Sequence, residues 1–78
     1  MRYYRMKEYL LKEIDQYDTF YRIKYGKILF LAENEIKNNG NLSINAYSKA
    51  IQKQIDSEDS KSFLGFKSLV IGYEKLIS

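Results

Sequence analysis

Tyr3, Met6, Leu10, Ile14, Tyr17, Tyr21, Tyr25, Ile28, Ala32 and Ile36 follow one another at intervals of three or four residues without a break. At roughly 100° per residue this ladder keeps to about one third of a helix circumference. It predicts an amphipathic helix over residues 3–38. The poor helix formers in Asp15-Gln16-Tyr17-Asp18-Thr19 do not disturb the phase, which favours one long or kinked helix on the order of 50 Å. Two other readings stay open. Asp15 or Asp18 can cap a second helix, giving a hairpin near residues 15–19 and four short helices. Alternatively, the aromatic and β-branched run from Thr19 to Leu31 forms a strand pair turning near Tyr25-Gly26.

Asn38-Asn39-Gly40-Asn41 is the strongest punctuation, because Asn and Gly accept the left-handed backbone that ends helices. Leu42 can fold back past that cap, and Ser43 or Asn45 can open the next helix. A second helix is predicted over 44–56, with Ile44, Tyr47, Ile51 and Ile55 on one face and Ala50 beside them, and Lys49, Gln52 and Lys53 facing away. The polar stretch from Asp56 to Ser62 separates it from a third helix over 62–77, whose face carries Phe63, Phe66, Val70, Tyr73 and Ile77, widened by Leu69 and Leu76. Leu69-Val70-Ile71 also reads as a short strand, but it has no pairing partner. Gly65 and Gly72 lie on nearly one side of the third helix, where another backbone could approach.

Together these patterns predict an all-α fold: one helical domain over 1–78, built as a small three-segment bundle. The expected core is Leu10, Ile14, Ile28, Leu29, Ala32, Ile36, Ile44, Tyr47, Ile51, Ile55, Phe66, Leu69, Val70 and Tyr73. A continuous first helix would outrun the other two, which span only roughly 20 and 24 Å. Part of its stripe would be left bare, so a homodimer or a complex with another protein is expected.

Composition removes most chemistries. There is no His and no Cys, hence no imidazole base, no thiolate and no disulfide. Glu33 and Glu35 have no partner carboxylate at a telling helical spacing, and Asp56-Ser57-Glu58-Asp59-Ser60 lacks the glycine and closing glutamate of a calcium loop. Gly65-Phe66-Lys67-Ser68 lacks the earlier glycine of a phosphate-binding loop. The expectation is a protein that is not an enzyme and needs no metal or cofactor. The charged start, Met1-Arg2-Tyr3-Tyr4-Arg5-Met6-Lys7-Glu8, does not read as a signal peptide. The longest apolar run, Ile28 to Ala32, falls far short of the ~20 residues of a membrane span, and a cytoplasmic location is expected.

Charge and tyrosine are unevenly placed. Residues 1–27 hold seven Lys/Arg against four Asp/Glu, whereas residues 28–78 hold six of each. Six of the eight tyrosines fall within the first 25 residues. Tyrosine and arginine concentrate binding energy at interfaces, so Tyr3, Tyr4, Arg5, Tyr9, Arg22 and Lys24 are the expected contact residues, with Tyr17 and Tyr21 shared between core and interface. If they only pack the domain, the next candidate face is Lys49, Gln52 and Lys53 on the second helix.

These residues suit three classes of partner unequally. A nucleic acid is the second choice, since phosphates would meet Lys/Arg and bases would stack on Tyr, but Glu8, Glu13, Asp15 and Asp18 lie among the cations and the 56–62 connector is long for a helix-turn-helix. A membrane surface is disfavoured because the stripe is mostly tyrosine. A larger protein fits best. The Lys-, Ile- and Asn-rich, proline-free composition resembles that of proteins from AT-rich genomes, including those of low-GC Gram-positive bacteria and their phages. The resulting expectation is a small inhibitor or regulator of phage or mobile-element type.

Overall fold

A computed structural model describes residues 2–58 and 61–77. The chain is all-α, with α1 at Tyr4–Ile14, α2 at Thr19–Asn39, α3 at Ile44–Asp56 and, after a 3₁₀ turn at Lys61–Phe63, α4 at Leu64–Ile77. Among the described residues the one β-type contact is an isolated bridge between Arg2 and Ser43. Asp59 and Ser60, in the polar connector, lie outside the described residues.

The long first helix is interrupted, and the four-helix alternative is the one adopted. Helical hydrogen bonding tightens at the end of α1, where the Gln16 and Tyr17 N–H groups reach back only three residues, to Glu13 and Ile14. Asp18 then takes an extended backbone (φ −60°, ψ 157°), and α2 begins at Thr19 without a side-chain cap. Packing supplies the reason. A hairpin lets the α1 stripe of Met6, Leu10 and Ile14 bury itself against its own chain, which a straight helix would prevent. With the break, the length mismatch behind the homodimer expectation shrinks, α2 having 21 residues against 13 and 14 in α3 and α4. The strand reading of Thr19 to Leu31 also falls, because that stretch is helical throughout.

Gly40 ends α2 in the left-handed conformation at φ 72°. Its N–H and that of Asn41 close onto Lys37 and Ile36 carbonyls, and Leu42 packs against the core. Ser43 caps α3 through its Oγ, which accepts from the Ala46 N–H at 3.0 Å. The N-terminus is fastened to this same connection, since the Tyr3 N–H donates to the Leu42 carbonyl at 3.0 Å.

One hydrophobic cluster joins all four helices. It contains the expected core except Leu69 and Tyr73, which are half-buried at its edge, and it adds Tyr3, Met6, Tyr25, Ala50 and Phe63. No atom lies within 4 Å of a Cβ built on Gly65 or Gly72, so no backbone approaches them as the spacing suggested. We therefore expect Gly65→Ala and Gly72→Ala each to raise stability by up to about 1 kcal/mol, through helix propensity alone. Gly40→Ala is expected to cost about 1 kcal/mol through its positive φ. Urea unfolding followed by circular dichroism would check all three.

Candidate protein-binding face

The tyrosines of the first 25 residues are spread from core to surface: Tyr3 and Tyr25 are buried, Tyr9 and Tyr21 half-buried, Tyr4 and Tyr17 exposed. Tyr3 is fully buried, so it is a core residue and not the surface contact its position suggested. Its ring lies 5.0 Å from that of Tyr47 and stacks at 4.4 Å on Tyr4. Its hydroxyl donates to Glu33 Oε2 at 2.5 Å. Lys7 Nζ donates to the same oxygen at 2.9 Å, and Lys37 Nζ lies 3.9 Å away. Burial alone would raise the Glu33 pKa, but the hydrogen bonds from Tyr3 and Lys7 and the charges of Lys7 and Lys37 outweigh it and hold the carboxyl below its ordinary value of 4.5. The Tyr3 phenol is pushed up, first by burial and then by its bond to Glu33, so the proton stays on the phenol.

Tyr25 is the second aromatic hub. Its ring stacks on Phe66 at 4.5 Å with 6° between planes, meets Phe63 edge-on at 5.5 Å, and its hydroxyl donates to the Ser62 carbonyl at 2.9 Å. Burial raises its pKa, with smaller contributions from Tyr17 and Tyr21. Tyr17, in the α1–α2 turn, contacts Tyr25 edge-on yet stays exposed, and Tyr21 is half-buried. Tyr9 is half-buried against Tyr73 at 4.7 Å. Tyr4, Arg5, Arg22 and Lys24 are exposed. The structure thus leaves the expected contacts scattered over α1, the turn and α2. On α1 they border only a shallow depression of mixed charge, between Arg5, Glu8, Tyr9 and Lys12.

A different face stands out. Phe20, Ile23 and Phe30 are 61%, 67% and 60% exposed, and Leu31 borders them. On α2 these four positions fall within an arc of about 100°, with Lys27 and Asn34 between them. Lys24 flanks the stripe with its Nζ 4.8 Å from the centre of the Phe20 ring. From Thr19 to Ala32 there are three basic residues, Arg22, Lys24 and Lys27, and no acidic one. Lys24 and Lys27 make no ion pair among the described residues, whereas Lys7, Lys37, Lys53 and Lys67 all do. Beside the stripe lies a notch of about 230 Å³ between Lys24, Lys27 and Leu31 of α2, Gln54 and Glu58 at the end of α3, and Phe63. That is below the roughly 300–1,000 Å³ of small-molecule sites and suits one protruding side chain.

This stripe was legible as a second ladder, Phe20-Ile23-Lys27-Phe30-Asn34, running between the rungs of the first. The first ladder masks it, because an amphipathic helix ordinarily carries one apolar face. Leu11, Leu64 and Leu76 are also exposed, singly, which is ordinary for a small protein. Among the described residues no group of His, Cys, Asp or Glu is placed to hold a metal, and no helix is long and apolar enough to cross a membrane. No protein-family model, curated protein or solved structure matches the chain.

Stability and pH follow from the buried polar groups. Glu33, with a lowered folded pKa, adds stability that is full above its unfolded value near 4.5 and is lost as pH falls through the folded value. Tyr3 and Tyr47, raised by burial foremost, add stability that is full below pH 10 and fades as pH climbs past it. Tyr3→Phe leaves Glu33 short of a donor and is expected to cost about 1–3 kcal/mol and to blunt the acid limb. The Tyr47 hydroxyl is buried with no hydrogen-bond partner among the described residues, so Tyr47→Phe is expected to be neutral or stabilising. Thermal melts of the two variants from pH 3 to 11 would separate them.

Proposed function

We propose that the protein acts by stoichiometric binding to a larger protein, as a non-catalytic inhibitor or regulator. The observation that carries this reading is the exposed apolar stripe of Phe20, Ile23 and Phe30 beside Lys24 and Lys27, which have no ion pair among the described residues. Such a stripe is costly to leave in water, and a local excess of positive charge speeds encounter with an acidic surface. Of the contact residues expected from sequence, Lys24 lies on its edge, and Tyr4, Arg5, Tyr17 and Arg22 supply accessible groups elsewhere on the same helical hairpin. A setting in phage–host or mobile-element conflict, in the cytoplasm, is part of the proposal and rests on composition.

Occlusion suits this architecture. A short rigid bundle presents one helix face at little cost in conformational entropy, and blocking a partner's groove needs no reactive group. The test is capture by the tagged chain in its native host, with and without nuclease, alongside the double variant Ile23→Ser/Phe30→Ser. One protein recovered in stoichiometric amount after nuclease, and weakened by at least about 2 kcal/mol in a variant that keeps its helicity, is the expected result. Partners that vanish on nuclease treatment would move the reading to a basic DNA- or RNA-binding regulator. Capture undiminished by the double variant would move the interface off α2.

A further inference from the structure

We propose that the outer face of α2 docks a single amphipathic helix of the partner, apolar along one side and acidic beside it. The proposal deepens the stoichiometric-binding reading and rests on it. Length sets the form of the occupant. From Phe20 to Leu31 the stripe runs about 17 Å along a straight helix, a span that three turns of a second helix would cover with side chains three and four apart. The notch, walled by Leu31 and Phe63 and rimmed by Lys24, Lys27 and Glu58, gives such a helix a socket for one protruding side chain.

Charge sets its chemistry. Arg22, Lys24 and Lys27 are the only ionisable side chains other than tyrosine between Thr19 and Ala32, and neither lysine is paired among the described residues. A partner carboxylate would find Lys24 already ordered over the Phe20 ring. A second copy of the chain does not fit. Antiparallel two-fold pairing of the stripe sets Phe20 against Leu31 of the copy and Lys24 against Lys27 of the copy; parallel pairing sets each lysine against itself. Neither brings a carboxylate to a lysine. A flat anionic membrane is also the poorer match, because the notch beside the stripe is concave.

The test uses two fluorescent helical peptides of about eighteen residues. They share a Leu/Phe stripe at the spacing of three and four, and differ only in carrying glutamate or lysine along its flanks. Anisotropy titrations with the full chain are expected to show the acidic peptide binding at least about tenfold more tightly than the basic one. Ile23→Ser/Phe30→Ser should abolish binding of both peptides, and Lys24→Glu/Lys27→Glu should reverse the preference, with circular dichroism confirming that each variant is folded. Equal affinity for the two peptides, or no binding, overturns the acidic helix while leaving the capture result above to judge stoichiometric binding by itself. Binding to phosphatidylglycerol vesicles, or self-association in sedimentation, that is lost in the serine variant also overturns it, in favour of a membrane or a second copy.

Discussion

Glu33 is a carboxylate in the interior of a very small protein, and the N-terminal helix is arranged around it. Leaving a buried charge without partners would cost more than a fold of this size can spare. The partners come from far away in sequence: Tyr3 and Lys7 lie thirty and twenty-six residues before it. They reach it only if α1 turns back along α2, so the hydrogen bond and the hairpin imply each other. The same contact seats the Tyr3 ring on Tyr47 and its N–H on the carbonyl of Leu42, tying the N-terminus to both α2 and α3.

That arrangement determines what is left outside. The hairpin spends the tyrosines: Tyr3 on Glu33, Tyr9 on Tyr73, Tyr25 on Phe63 and Phe66. α2 packs against α1, α3 and α4 through Tyr25, Ile28, Leu29, Ala32 and Ile36, and among the described residues its opposite side stays exposed. Phe20, Ile23 and Phe30 occupy that side. There the stripe holds aromatic and aliphatic carbon at helical spacing, with Lys24 and Lys27 beside it and Glu58 at the edge of the adjoining notch.

The sequence carried the helical class, the caps at Gly40 and Ser43 and nearly the whole core, because those depend on local periodicity and backbone preference. It carried the break at residues 15–18 only as an alternative. A turn of four residues restored the phase of the apolar ladder, and periodicity cannot tell a continuous helix from one resumed in register. The role of Tyr3 was hidden for a related reason: its partner Glu33 is remote, and an acidic residue on a helix ordinarily faces solvent. Counting tyrosines and arginines placed candidate contacts from Tyr3 to Lys24 without separating accessible side chains from buried ones such as Tyr3, since the aromatic side chains that anchor an interface also fill a core.

The exposed apolar stripe lies on the outer side of α2, whereas Tyr3 lies in the core. NMR with a soluble paramagnetic probe measures this residue by residue, since side chains relax faster the more freely the probe reaches them. Strong relaxation of Phe20, Ile23 and Phe30, with Tyr3, Met6 and Leu10 protected, is the predicted pattern. Tyr3 relaxing as fast as Phe30, or Phe20, Ile23 and Phe30 protected in the isolated protein, would contradict it.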